Sequence, residues 1–354
     1  MSSQQKALVV ETKLGPHVLK NVDVPKPGAD EVLVRIEATA LNPADWKILY
    51  IGMLVDKFPT TLGFDAAGVV VEVGEGVKDY AVGDKVIAQG WYDPVDHSMH
   101  GTFQQFMAFP VDSVVKMSSN LSFEEAATIP SGLATAVFPV YNQAEGAPSA
   151  KLIAPWEEGG LGKYANKPIF ILGGSSSIGQ FMIQLARLSG FAPIITTASL
   201  HNSDLLKSFG ATHVIDRTLS PETVAQQARE IAGGLIDLVY DAISVTDTLA
   251  AGYQATSPQG DFVVVLPEPI PGADANSQKK VHLAHGLFHT PINRASGKNL
   301  LAKLPELLEK GDIKPNRYEL LPGGLRGVDA GLLRLRNNQV SAVKLVVRPQ
   351  DTSA

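Results

Sequence analysis

Gly173, Gly174 and Gly179, with Ser175, Ser176 and Ser177 between them, form the stretch of this chain best suited to hold a charged ligand. Glycine lets a main chain come close to a phosphate. The first N–H groups of a helix lack intrahelical partners and lie at its positive dipole end. The elements needed to position such a turn flank it on both sides. Pro168-Ile169-Phe170-Ile171-Leu172 is an apolar run that reads as a buried parallel strand. Ile178, Phe181, Met182 and Leu185 recur at helical spacing just after it. Strand, turn and helix make the opening unit of a dinucleotide-binding fold, which puts Gly174, Ser175, Ser176, Ser177 and Ile178 on a pyrophosphate. The spacing departs from G-x-G-x-x-G, and by itself it also fits an ordinary strand–helix connection.

The next strand sharpens the reading. Pro193-Ile194-Ile195-Thr196-Thr197-Ala198 ends in Ser199, His201 and Asn202, and no carboxylate follows before Asp204. A carboxylate at this place would hold a ribose 2′-hydroxyl, whereas hydrogen-bond donors suit a 2′-phosphate. The expected cofactor is therefore NADP(H), bound by Ser199, His201 and Asn202. Ser199 is also placed to cap a helix that begins near His201.

Composition narrows the function classes. The chain has 354 residues, a net charge of −6 and 45% apolar residues, enough for two domains. Lys and Arg are scattered, which leaves no basic footprint for nucleic acid or a membrane surface. The first residues lead straight into a strand without a signal-peptide core, so a cytoplasmic location is expected. Cysteine is absent. Disulfides, thiolate catalysis and every cysteine-containing zinc site are thereby excluded.

Residues 1–125 read as a strand-rich domain, with strands at Val9-Glu11, Val18-Val22, Val32-Ala40, Ala66-Val73, Lys85-Ala88 and Phe103-Phe109. After a capping-box-like Ser122-Phe123-Glu124-Glu125 the pattern turns helical, and about 126–141 is largely apolar and expected to be buried. Residues 144–167 read as a loop insertion. Strands at 168–172, 193–198, 213–215, 235–240 and 261–265 alternate with helices over 126–299, the pattern of a doubly wound parallel sheet. Residues 300–354 add two helices and strands near Tyr318-Leu321 and Ala342-Val347. The fold class is α/β.

Several marks then occur in a fixed order: Asn42-Pro43-Ala44-Asp45-Trp46-Lys47, Gly63-Phe64-Asp65-Ala66-Ala67-Gly68, Val82-Gly83-Asp84-Lys85-Val86, Gly101-Thr102-Phe103-Gln104-Gln105-Phe106, Ala126-Ala127-Thr128-Ile129-Pro130 and Phe209-Gly210-Ala211-Thr212-His213-Val214-Ile215-Asp216. Together they resemble the medium-chain dehydrogenase/reductase superfamily over nearly the whole chain. The resemblance implies a GroES-like β domain followed by a Rossmann domain, with residues 300–354 returning to the first. Zinc members of that family carry Cys in the segment matching Leu41-Asn42-Pro43, Gly-His-Glu where this chain has Gly63-Phe64-Asp65, and four cysteines near 90–100. This chain resembles the zinc-free, quinone oxidoreductase-like branch, and within it the fungal trans-acting enoyl reductases. Asn42-Pro43-x-Asp45-Trp46-Lys47, the Ser-rich turn, Ser199-x-His201-Asn202 and the C-terminal stretch Val340-Val347 carry that finer resemblance.

The implied activity is NADPH-dependent reduction of an activated C=C bond, in an enoyl thioester or an α,β-unsaturated carbonyl, without metal. Lys47 is then the candidate to hold a developing enolate oxygen or a cofactor phosphate. Tyr50, at i+3, is the candidate to share its helix face and give a proton. Asn42 and Thr135 match positions near the nicotinamide, and Asp45 and Ser341 join the cofactor set. Plainer readings exist for each. Lys47 is a surface lysine, Tyr50 a half-buried structural residue, Asn42 a turn residue before Pro43, and Thr135 a helix residue bonded to the i−4 carbonyl. Pro130, Ser131, Gly132, Leu133 and Ala134 are expected to line an interdomain cleft. Ala242 and Ile243 would meet the adenosine side, and Leu266 ends another strand. Gly286, Leu287 and Phe288 would form an apolar wall over substrate, with His282, His285 and His289 as loop residues. The implied partners are a small or carrier-bound enoyl substrate and a polyketide synthase, with the protein a monomer or homodimer. A quinone reductase and a non-catalytic NADPH-binding protein are the alternatives.

Overall fold

The computed structural model describes residues 3–93, 95, 97–274 and 276–353. Pro94 and Asp96, in the segment matching the zinc lobe, lie outside them. The chain forms two compact units. The first runs up to Ser131 and adds Leu287–Gly311 and Pro315 onward; the second is Gly132–Gly286 with Asp312–Lys314. The boundaries thus fall at 131/132 and 286/287. Residues 126–131 and 287–299 join the first unit because Ser131 and Phe288 are hydrogen-bonded into its sheet.

The first unit is mostly β. One sheet runs in the order Val114–Lys116, Lys85–Gln89, Asp65–Val73, Glu31–Ala40, Lys344–Val347, Tyr318–Leu320, and Phe106–Pro110 also pairs with Glu31–Ala40. A five-stranded sheet holds His17–Asp23, Gln4–Val10, Thr60–Thr61, Met99–His100 and Trp91–Tyr92. The strand expected over 103–109 starts only at Phe106, because Phe103 turns inward as a fully buried core residue. In the segment where zinc relatives carry four cysteines, Trp91 stacks flat on His100 with ring centres 3.8 Å apart. Helix Pro43–Ile51 begins on Asn42, takes Pro43 in its first turn where a missing N–H costs nothing, and ends on Gly52 in the left-handed region. Its Ile48 and Leu49 pack with Leu41, Phe64, Phe103, Leu332 and Leu345 in one buried cluster.

The second unit carries a parallel sheet in the order His213–Asp216, Ile194–Ala198, Ile169–Leu172, Ile236–Asp241, Thr256–Val264, Lys280–Leu283. Strand order reverses between Ile169–Leu172 and Ile236–Asp241, which opens a ligand crevice beyond their carboxyl ends. The last strand was expected to be loop. Its residues are half polar, as suits an edge strand, and His282 lies within it with Nε2 2.7 Å from Asp261 Oδ1. The helical stretch after Ser122 is two helices, Phe123–Ala127 and Pro130–Tyr141, with Pro130 starting the second. Residues 144–167 hold no helix or strand. They are fastened by Tyr164, which stacks on Phe191 and whose N–H donates to Ser189 O at 2.8 Å. Among the described residues no helix is long and apolar enough to cross a membrane.

Candidate active site

The glycine-serine turn sits at the carboxyl end of strand Ile169–Leu172, at the reversal point of the sheet. Gly173 has φ 76°, a conformation that disfavours any side chain. Gly179 is needed for closeness: a Cβ there would lie 2.3 Å from the Gly173 carbonyl, so only glycine lets the helix Ser177–Ser189 press onto the turn. Ser176 Oγ accepts the Gly179 N–H at 3.0 Å, which makes it the helix N-cap. That bond uses the hydroxyl as an acceptor and leaves its O–H to donate. Gly174 N–H donates to Thr197 O at 2.9 Å, so Gly174 contributes close packing rather than a donor. The Ser175 carbonyl accepts Gln180 Nε2 at 3.0 Å. What the turn offers an anion is the first turn of the helix, headed by Ser177 and Ile178.

At the end of the next strand the expected cap is not made. Ser199 gives no side-chain cap bond, and its Oγ accepts Arg217 Nε at 2.9 Å. Arg217 was not anticipated. Its signal was topological: Ala198 and Asp216 are partners in adjacent parallel strands, so Ser199 and Arg217 are the next residue on each. An arginine and a hydroxyl therefore stand side by side at this strand end. His201 is exposed, whereas Asn202 is buried and its N–H closes a turn on Ser199 O at 2.9 Å.

Across the crevice, Ala242 N–H donates to Leu172 O at 3.1 Å, and the Ile243 side chain occupies the space a Cβ on Gly173 would fill. Asp241 Oδ1 accepts the N–H groups of Ile243 and Ser244, each at 2.9 Å, and the Thr248 side chain also favours its charged form. Burial pushes this acid up to about 6. Leu266 lies half-buried just past strand Thr256–Val264.

Thr135 is held by an unusual arrangement. Pro139, four residues on, has no N–H to give the Thr135 carbonyl, and the Tyr240 hydroxyl supplies the missing donor at 2.7 Å. Gly286 lies against the same residue, since a Cβ there would meet Thr135 Oγ1 at 2.0 Å. Leu133 and Ala134 are fully buried and Gly132 packs on Ser177 and Phe181; these are packing residues, not the lining expected of them. Ser131 and Thr135, one helical turn apart, remain partly exposed.

In the first unit Asn42 is more than a turn residue. Its Nδ2 donates to Asp65 Oδ2 at 2.9 Å, and its N–H donates to Asp45 Oδ2 at 2.7 Å. Asp45 is fully buried and is taken up by this helix start, so it serves the turn and not a cofactor. Burial, with the nearby Asp65 charge, pushes the acid up to about 8, against the pull of the Asn42 and Gly63 N–H groups and of Lys344. Asp65 is ion-paired with Lys344, both buried. Lys47 is half-buried with Nζ 5.6 Å from the Trp46 ring. Tyr50 lies under Arg336, whose guanidinium carbon is 5.0 Å from its ring, and burial raises its hydroxyl above the usual range. Pro130 is buried, Leu287 packs on the Phe64–Phe103 cluster, and Ser341 is exposed. Phe288 is core rather than wall, with 2% of its surface exposed. Gln89, which was not anticipated, accepts the Phe288 N–H at 2.8 Å. Among the described residues no three His, Asp or Glu side chains are grouped to hold a metal ion.

Comparison with known proteins bears on the family and the fold. The family model for the alcohol dehydrogenase GroES-like domain matches residues 28–119, and that for zinc-binding dehydrogenases matches 177–277. The chain is 31% identical over 366 residues to the trans-enoyl reductase RAP2 of Pyricularia oryzae, covering 98% of both chains. It is 32% identical over 345 residues to the trans-enoyl reductase opdC of Penicillium oxalicum, covering 91% of both. An alcohol dehydrogenase superfamily protein from Novosphingobium aromaticivorans matches with a TM-score of 0.76 and 25% identity, over 96% of this chain and 99% of its own.

Proposed function

The chain belongs to the medium-chain dehydrogenase/reductase superfamily, among the fungal trans-enoyl reductases, and from that premise we propose that it reduces the activated C=C bond of a carrier-bound enoyl thioester with NADPH. One structural observation supports the cofactor above others. The strand after the glycine turn ends in Ser199, with Arg217 on its hydroxyl and no carboxylate of its own. The glycine turn fits a dinucleotide, because at Gly173 and Gly179 a Cβ would collide within 2.4 Å. When bound, NADPH supplies a hydride to the β carbon of the substrate. The chain's own residues bind, orient and manage charge. The Lys47 ammonium holds the oxygen on which negative charge develops, and Thr135 orients the reacting group. Tyr50 or water delivers the proton to the α carbon. No metal is called for, since the chain has no cysteine, and Phe64 and a Lys344-paired Asp65 fill the segment where zinc members carry ligands. The first unit is the substrate domain and the second the nucleotide domain, in a cytoplasmic protein that works with a polyketide synthase.

The test is NADPH oxidation with a crotonyl thioester, a simple enone and a quinone, followed by deuterium placement. Cofactor deuterium is expected at the β carbon and solvent deuterium at the α carbon. Lys47→Ala and Thr135→Val are expected to lower turnover by roughly 1.5–4 kcal/mol of transition-state stabilisation each, and Tyr50→Phe by less. Deuterium on a carbinol carbon would make the protein a carbonyl reductase, and turnover of the quinone alone would make it a quinone reductase.

A further inference from the structure

Asp65 and Gln89 face each other across antiparallel strands Asp65–Val73 and Lys85–Gln89. Both are almost completely buried, and their strand neighbours Ala66 and Ala88 are apolar. The backbone ladder fixes the strands without any help from these side chains. A buried carboxylate and a buried amide are costly unless every polar atom is used, and here the bonds run outward to other segments. Asp65 Oδ2 accepts Asn42 Nδ2 at 2.9 Å and is paired with Lys344. Asp65 Oδ1 accepts the Ser131 N–H at 2.7 Å. Gln89 Nε2 donates to Ser131 Oγ at 3.4 Å, and its Oε1 accepts the Phe288 N–H at 2.8 Å. Ser131 is thus gripped twice, by its main chain and by its hydroxyl. Asn42, Ser131 and Phe288 are far apart in the chain, and each lies in a segment that the reductase reading assigns to cofactor or substrate. Two neighbouring side chains at one pair of strand ends hold all three.

We propose that Asp65 and Gln89 are positioning residues for the reduction, setting where Asn42, Ser131 and Phe288 stand without touching cofactor or substrate themselves. Lys344 completes the device by neutralising the Asp65 charge in the core. The proposal rests on the enoyl-reductase reading above. Its physical content is that hydride transfer is sensitive to placement: a displacement of ångström size at a remote support lowers the rate by about 100-fold.

The experiment compares wild type with Gln89→Met, which removes the bonds to Ser131 and Phe288, and Gln89→Glu, whose protonated form, favoured by burial opposite Asp65, still accepts the Phe288 N–H and donates to Ser131 Oγ. Single-turnover hydride transfer to a crotonyl thioester is measured beside the NADPH dissociation constant, the melting temperature and amide hydrogen exchange of peptides spanning 128–134 and 286–290. Gln89→Met is expected to slow hydride transfer about 10–100-fold while the NADPH dissociation constant changes less than about threefold. Exchange in the 286–290 peptide should accelerate, and Gln89→Glu should restore most of both. A loss of melting temperature that scales with the loss of rate, without rescue by Glu, would make Gln89 merely structural and overturn the proposal. Unchanged exchange at 286–290 in Gln89→Met would overturn the hub itself. If the wild type leaves the thioester unreduced while exchange responds as expected, the enoyl-reductase reading fails and the hub loses its catalytic meaning but keeps its geometry.

Discussion

The two units solve the same problem, holding a site in place, by different chemistry. In the second unit the backbone does it. A left-handed Gly173, a Gly179 that permits close contact, and a helix N-terminus capped by Ser176 are contiguous in sequence, and they shape the turn without an ion pair of their own. In the first unit side chains do it. Asp65, Lys344, Asn42 and Gln89 form a buried polar cluster, and Asp45 beside it is a fully buried acid. The contrast predicts different failures. A backbone-built site tolerates the loss of one side-chain hydroxyl, whereas a buried ionic hub fails when one member is removed and leaves another uncompensated.

Lys344→Met breaks the comparison hardest. It strands the Asp65 carboxylate in the core near Asp45, and unfolding by urea should show a loss of about 3–5 kcal/mol. Lys344→Met with Asp65→Asn should recover a large part of it, because the stranded charge is gone. Additive losses in the double variant would mean that the pair is not coupled.

The corresponding cut in the second unit is Arg217→Ala. The loss should be selective and not structural. Losing one charged hydrogen bond to a 2′-phosphate is expected to weaken NADPH by about 1.5–3 kcal/mol, with NADH and the melting temperature unchanged. Calorimetric titration of both cofactors checks it, and equal weakening of both would remove Arg217 from the phosphate site.

How much of each region could be read in the sequence follows the same divide. The glycine turn, the Ser122–Glu125 capping box and the parallel strands were legible because each depends on residues within a few positions of one another. The hub was not. Asp65 and Lys344 are 279 positions apart and Gln89 and Phe288 are 199 apart, so no local pattern joins them. Each still left a trace: Lys344 is a lone cation in the apolar stretch Val343-Lys344-Leu345-Val346-Val347, and Gln89 a lone amide after Val86-Ile87-Ala88. A buried polar residue demands a partner, but only the folded chain says which. Arg217 was missed for a related reason, since it needs the register of two adjacent strands. The edge strand Lys280–Leu283 was missed because an exposed edge need not be apolar.

The smallest effects concern the two acids that burial raises, and pH separates the units. Asp45 is pushed up to about 8 and Asp241 to about 6, against 3.8 in the open chain. In both cases the folded protein keeps a proton that the unfolded chain releases. Stability is therefore greatest at low pH and falls as pH rises, from near 4 to near 8 for Asp45 and from near 4 to near 6 for Asp241. Asn in either place keeps an oxygen for the N–H groups that the acid serves and removes the titration. Asp45→Asn should raise stability at pH 8 by on the order of 2 kcal/mol and flatten the slope between pH 6 and 8. Asp241→Asn should gain about 1 kcal/mol and flatten only the part below pH 6, because its Oδ1 already accepts two N–H groups that favour the charged form. Urea unfolding of each variant at pH 5, 6, 7 and 8 gives the slopes. An Asp45→Asn curve parallel to wild type between pH 6 and 8 would mean that the first unit holds Asp45 ionised, and the contrast between a charge-burdened hub and a backbone-built turn would then rest on Asp65 and Lys344 alone.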